Sequence, residues 1–239
     1  MDIFINGTKL NDLVYIENVQ GVHDMPGCTG TVNQLATSNR SYYVGTTFDE
    51  RVITITCTAL MDGNGNLLAD KMDKVKTILA PSRNREKELV FGAYPDRYLL
   101  GRVEGTFDLT QIGQMGMFMI TFYCSDPIYY SKKLYTSNTP VTTVNAKNSG
   151  NWESQKLLAE LTVNGTVDIT NTTTGEVLRL KSDSPKNVTV DFEKACIIGG
   201  VADNANTLYV SGSFFTLEPG DNNLTSTVPA LFKWRTAHL

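Results

Sequence analysis

Residues 116–130 read Gly-Met-Phe-Met-Ile-Thr-Phe-Tyr-Cys-Ser-Asp-Pro-Ile-Tyr-Tyr, and this stretch decides the fold. Met117 to Cys124 has the length and composition of one β-strand. Successive side chains of a strand alternate between its faces. Phe118, Ile120, Phe122 and Cys124 therefore share one face, and Met117, Met119, Thr121 and Tyr123 share the other. Both faces are apolar or aromatic, so the strand is expected to be covered on both sides. Ser125-Asp126-Pro127 ends it, because proline brings no N–H to a ladder and restricts the residue before it. The following stretch, Ser131 to Asn151, is rich in Ser, Thr, Asn, Lys and Gly. An interior strand thus closes one domain, and a polar connector opens the next.

The chain has 239 residues, enough for one large or two small domains. The expected organisation is mainly β. An N-terminal β domain over residues 1–133 carries one helix at about 66–80 and a protruding arm. A connector spans 134–150, and a β-sandwich domain fills 151–239.

The N-terminal half supports this. Asn6-Gly7 between Ile3-Phe4-Ile5 and Lys9-Leu10 is a hairpin signal. Residues 24–41 hold Pro26, Gly27 and Gly30 but few large apolar anchors, and so read as a protruding arm or hairpin. Tyr42–Phe48 and Arg51–Ala59 read as two strands joined by Asp49-Glu50. The second is rich in β-branched residues, as a sheet prefers. Leu68, Met72, Val75 and Ile78 or Leu79 recur at helical spacing, with Asn64 or Asn66 as cap and Pro81 as stop. In the C-terminal half, Leu157–Val163 and Thr166–Thr170 flank Asn164-Gly165, a two-residue hairpin signal. Thr174-Gly175 and Pro219-Gly220-Asp221 punctuate further short strands, the pattern of a sandwich or barrel.

Chemistry is hard to assemble from these residues. Only His23 and His238 are available as imidazole bases, and no Gly-x-Ser-x-Gly elbow exists. Cys28, Cys57, Cys124 and Cys196 are far apart and read as free thiols rather than metal ligands. Asp62-x-Asn64-x-Asn66 begins like a calcium loop, but Leu67 stands where the sharp turn needs glycine. Arg83, Arg85 and Lys87 read as a solvated basic loop. Trp152 and Trp234 could face sugar rings, with Trp234 better placed for a core. No catalytic residue, metal site or cofactor is expected. A net charge of -4 argues against a dedicated nucleic-acid binder. No apolar run is long enough to span a bilayer, and no signal peptide is read at the start, so folding in a cytoplasm is expected.

What remains is a β-rich binding or assembly protein, and the chain resembles the distal tail proteins of siphophages. The resemblance is carried by an ordered set of features over nearly the whole chain. They are Phe4-Ile5-Asn6-Gly7, strand Arg51–Ala59, the helix ending at Leu79-Ala80-Pro81, and Tyr98-x-x-Gly101-x-Val103. Ile120 to Tyr129 follows. Then come Gly150-Asn151, the Asn171–Gly175 turn, Leu217-Glu218-Pro219-Gly220-x-Asn222 and Phe232-Lys233-Trp234-Arg235. Glu153-Ser154-Gln155-Lys156 departs from the family, which more often has a proline before this strand.

The resemblance implies a hexameric ring built by the N-terminal domain, with a galectin- or lectin-like sandwich projecting outward. Such a ring joins the tail tube to the tip and receptor-binding apparatus, and DNA passes through its bore. The implied partners are further copies of the chain, the tail tube protein, a tail-associated tip protein and a receptor-binding protein. The implied place is the distal end of the virion tail, assembled in the host cytoplasm without membrane insertion. Residues 24–41 match the arm that embraces a neighbouring subunit, with Asp24, Met25, Thr31, Asn33, Gln34 and Arg40 as expected contacts. The alternatives are a free carbohydrate-binding module, and then a cell-wall hydrolase.

Overall fold

The computed structural model describes residues 1–34, 41–60, 67–80, 86–104, 110–112, 115–199, 203–204 and 206–239. The expected caps Asn64 and Asn66, the calcium-like loop, Pro81, Arg83 and Arg85 lie outside the described residues. The chain divides into two compact units, Met1–Tyr129 and Tyr130–Leu239.

The first unit runs β1 (Ile3–Ile5), β2 (Thr8–Lys9), β3 (Tyr15–Gln20), β4 (Cys28–Gln34), β5 (Ser41–Phe48) and β6 (Arg51–Leu60). It continues with α1 (Leu67–Leu79), β7 (Lys87–Phe91), β8 (Arg97–Val103), β9 (Thr110–Ile112) and β10 (Met115–Cys124). The body strands lie in the order β2-β1-β7-β8-β10-β6-β3, with β9 beside the start of β10. Asn6 and Gly7 make the expected turn between β1 and β2, both at positive φ.

β10 pairs antiparallel with β6 along its whole length, from Met115 opposite Leu60 to Cys124 opposite Arg51. Phe118, Ile120, Phe122 and Cys124 are buried, beside Ile53, Ile55, Cys57 and Ala59 of β6. Met72, Val75 and Leu79 of α1 join the same core, and the helix packs on β6. Burying a large apolar side chain is worth about 2 kcal/mol, so this face anchors the unit. Burial also pushes the thiols of Cys57 and Cys124 up to about 12, which keeps them protonated and unreactive at neutral pH. Lys87, read as part of a solvated loop, is instead buried in β7, and desolvation lowers its pKa.

The opposite face of β10 departs from expectation. Met119 is 54% exposed and Met115 42%, with Leu60, Val52 and Tyr15 open beside them. The helix has one apolar stripe and can serve only one side of a sheet. Side chains of β1, β7 and β8 pack into the buried core with Phe118, Ile120 and Phe122, and so add no cover to the Met115–Met119 side.

The chain crosses into the second unit through β11 (Tyr129–Ser131). Residues 134–150, read as a connector from their polar composition, contain β12 (Tyr135–Thr136) and β13 (Val141–Asn148). Both pair with the long β19 (Gly220–Trp234). Their polar side chains occupy the solvent side of an edge, while Ala146 and Asn148 point inward and are fully buried.

The rest comprises β14 (Leu157–Asn171), β15 (Glu176–Asp191), β16 (Cys196–Gly199), β17 (Asp203–Asn204), β18 (Tyr209–Gly212), β19 and β20 (Ala237–His238). Asn164-Gly165 is not a hairpin turn. β14 runs straight through it, with a register shift between Val163 and Gly165 and Gly165 at φ +73. The positive φ bends the strand instead of reversing it. β14 therefore pairs with β19 twice, at Leu157–Leu161 and again at Ile169–Asn171. Likewise β15 pairs with β16 near its end and with β18 near its start. Three long bent strands thus serve two layers around one core of Leu161, Val167, Leu180, Phe215 and Phe232. Trp234 belongs to that core, and its indole N–H donates to the carbonyl of Lys147 at 3.1 Å.

Buried asparagines pin the loops to this core. The Asn148 amide donates to the carbonyls of Trp152 and Leu217, at 2.7 and 3.0 Å. Its oxygen accepts the N–H groups of Gly150 and Ala237 at 3.2 Å each. Asn222 binds Glu218 through both ends of its amide, at 3.0 and 2.8 Å. A Cβ on Gly150 would stand 1.7 Å from the Ala237 carbonyl oxygen, so no larger residue fits there.

Asn148→Ala leaves several of these buried groups unpaired and is expected to lower the stability of the second unit by about 3 kcal/mol. Both tryptophans lie in this unit. Tryptophan fluorescence in a urea titration therefore reads it selectively, and an unchanged midpoint would contradict the assignment.

Candidate assembly surface

From the sequence, Tyr42–Phe48 reads as a strand joined to Arg51–Ala59 by Asp49-Glu50. The structure pairs it elsewhere. β5 lies antiparallel to β4, and the two form a ribbon of their own, with Cys28 opposite Phe48 and Gln34 opposite Ser41. The arm is thus a two-stranded hairpin that extends to Phe48, beyond the expected end at residue 41. An isolated two-stranded hairpin is marginal in water.

Its surface is unusual for a free ribbon. Val32 and Tyr43 are directly paired and share a face, 58% and 65% exposed. A Cβ on Gly30 would meet the Tyr43 ring at 3.4 Å, so the ring lies along the strand rather than away from it. Tyr42 and Val44 are also more than half exposed. Clustered exposed apolar side chains mark docking surfaces. These residues are not among the contacts expected from sequence, Asp24, Met25, Thr31, Asn33, Gln34 and Arg40. The usable signal was the Tyr-Tyr-Val run itself, flanked by Ser and Gly rather than by other core residues.

The expected contact residues fall as follows. Thr31 and Asn33 are exposed on β4, and Gln34 is its last residue. Met25 is exposed at the root, 66% accessible. Asp24 is at the root as well, and its carbonyl serves an internal bond described next. Arg40 lies outside the described residues.

The root is held by Arg51, the first residue of β6, which is buried. Its Nε donates to the Pro127 carbonyl at 3.0 Å, and its Nη1 donates to the carbonyls of Gly21 and Asp24 at 3.1 and 2.5 Å. The guanidinium lies 5.1 Å from the centroid of the Tyr129 ring. Tyr129 in turn donates its hydroxyl to the Val22 carbonyl at 3.0 Å, and burial raises the pKa of that phenol. His23 hydrogen-bonds the Tyr94 hydroxyl at 2.9 Å, and the Tyr94 and Tyr129 rings pack 5.6 Å apart. At the other strand of the ribbon, Asp49 takes the Thr29 hydroxyl at 2.9 Å and gives its N–H to the Gly27 carbonyl at 2.8 Å. The ribbon leaves the body at a fixed place, tied to the exit of β10.

Among the described residues no group of three His, Cys, Asp or Glu side chains is placed to hold a metal.

Residues 11–124 match the family model of the phage tail protein RIFT-related domain. That match covers most of the first unit, which ends at Tyr129. The solved Dit protein of phage SPP1, described as a paradigm of the hub adsorption apparatus in phages infecting Gram-positive bacteria, has the same fold. It aligns with a TM-score of 0.77 and 16% identity, over 100% of this chain and 99% of that one. Two structures of the phage P2 baseplate in its activated conformation, with calcium and with strontium, also match. Each aligns with a TM-score of 0.52, at 10% and 11% identity, over 96% and 98% of this chain and 92% and 96% of theirs. No curated protein matches the chain by sequence. The matched family and the similar structures are phage tail, hub and baseplate proteins rather than enzymes. The siphophage resemblance and the mainly β fold stand on these findings.

Arg51→Met removes three hydrogen bonds at the root of the ribbon without adding a charge. Hydrogen exchange in Cys28–Gln34 and Ser41–Phe48 is expected to rise about tenfold, while exchange in β7 stays as it was. Unchanged exchange in the ribbon would contradict the role given to Arg51.

Proposed function

We propose that the chain is a distal tail protein, the hub at the far end of a phage tail, and that its first unit builds a hexameric ring. The ring joins the tail tube protein to the tip protein and the receptor-binding apparatus, and leaves a bore for DNA. It assembles in the host cytoplasm and ends at the distal tip of the virion. One observation carries the self-assembly reading. The phage tail domain presents two apolar surfaces that nothing within its own unit covers, the β4–β5 ribbon and the Met115–Met119 side of β10.

A single chain that leaves both surfaces in water loses the burial they could make. A second copy supplies the cover, and a heterologous contact, ribbon of one copy on the body of the next, closes into a ring when the rotation fits. The SPP1 protein described as a hub aligns over the whole chain, which favours this reading over a free binding module. The second unit has its own closed core and need not hold the ring together. Ring formation is therefore assigned to residues 1–133, with residues 151–239 as the core of the outward domain.

Val32→Asp combined with Tyr43→Asp places charges on exposed positions of the ribbon, so the body should still fold. The concentration needed for half-assembly is expected to rise at least about tenfold, read by light scattering and negative-stain microscopy. Tyr209→Asp, an exposed change in the second unit, should leave assembly as it was. Equal weakening by Tyr209→Asp, or none by the paired ribbon change, would contradict the assignment.

A further inference from the structure

The second unit carries a depression apart from the two surfaces proposed for ring assembly. It has a volume of about 470 Å³ and lies on the outward side of β19, β14, β15 and β16. The register sets Leu231, Glu160, Thr189 and Ile198 in one row across these four strands. Thr162 and Asn187 stand opposite each other beside that row. Pro140 and Pro229 complete the wall.

The chemistry of this lining is specific. Lys233 Nζ donates to Glu160 Oε1 at 2.5 Å, so the carboxylate at the floor is already neutralised. Thr162 donates its hydroxyl to Asn187 Oδ1 at 2.6 Å, which fixes the amide with its NH2 group turned away from that bond. The depression thus offers amide donors, hydroxyls and a carboxylate edge, interleaved with the C–H surfaces of Leu231, Ile198 and two prolines. It presents no uncompensated charge.

Ligand classes can be sorted against this surface. An anionic group gains nothing where the lysine is already paired to Glu160, and a cation gains little from a neutralised carboxylate. A purely apolar molecule would strip water from Asn187, Thr189 and Glu160 without replacing their hydrogen bonds. A protein partner held by this depression alone would bury far less than the roughly 800 Å² per side of a stable interface. A neutral molecule with many hydroxyls and a C–H face satisfies both parts of the lining. We propose that this face of the second unit binds a neutral saccharide of one or two rings, with Asn187, Thr189 and Glu160 as its polar contacts. The pocket volume falls within the usual range for small-ligand sites. The proposal does not depend on the ring, since every residue it uses lies in the second unit.

The test uses the isotope-labelled full-length chain and a fixed panel of probes at millimolar concentration. The panel holds glucose, galactose, N-acetylglucosamine, maltose, cellobiose and lactose. At least one is expected to shift the amide resonances of Thr162, Asn187, Thr189 and Ile198 in a saturable way. Asn187→Ala changes an exposed side chain and should weaken that binding about tenfold or more. Asn145→Ala, on the exposed side of β13, should not change it. Melting curves show that each variant is folded. Overturning results would be no shift at these residues with any of the six sugars, shifts confined to another surface, or unchanged affinity in Asn187→Ala.

Discussion

A β-strand has two faces, and Met115–Cys124 is apolar on both while its own chain covers only one. This constraint shapes the first unit. The buried face, which β6 extends in full register, packs against the single helix and side chains of β1, β7 and β8, and it holds the unit's core. The open face leaves Met115 and Met119 in water beside Leu60 and Val52. Methionine is flexible and polarisable and adapts to the surface laid against it, so this face is suited to a partner rather than to solvent. The open face of the first unit is thus shaped as half of a contact, and the ribbon as the other half.

Arg51 connects these two halves. It begins β6, so the same strand that buries the core also places a guanidinium under the root of the ribbon. Its third bond, to the Pro127 carbonyl, reaches the turn that ends β10. A rigid root restricts where the ribbon can point, and a restricted ribbon loses less conformational freedom when it docks. The second unit is fixed by other means. Asn148 and Asn222 hold the loops with fully buried amides, and the unit needs no neighbour to complete its core.

Much of this was legible in the sequence. The alternation in Ile53–Ala59 and Phe118–Cys124, the helical spacing of Met72, Val75 and Leu79, and the Asn6-Gly7 turn all depend on local periodicity, which a linear sequence records directly. Long-range pairing is recorded less well. Tyr42–Phe48 has the composition of a body strand, and only the fold shows that it pairs with Cys28–Gln34. Asn164-Gly165 carries the chemistry of a hairpin turn and of a bulge alike, and the choice falls to the two layers that β14 must serve. Val141–Asn148 looked like a connector because an edge strand is polar on its outer side. The motif Leu217 to Asn222 and the Gly150-Asn151 pair were visible as part of the resemblance, but not as loop pins. Their function lies in contacts with Asn148, Ala237 and Ser154, far away in sequence. The exposed Val32 and Tyr43 stand outside the expected contact set for a physical reason as well. Polar residues are expected on an exposed arm, yet a docking arm works through the apolar residues it keeps exposed.

The central claim is that Met115, Met119 and Tyr43 are exposed in the free chain and covered once the chain is part of a tail. Oxidative footprinting by hydroxyl radicals, read residue by residue on free protein and on assembled particles, measures this directly. The account predicts rapid modification of all three in the free chain and strong protection of all three in the particle, with Tyr209 of the second unit as internal reference. Equal modification of Met115, Met119 and Tyr43 in both states would contradict it.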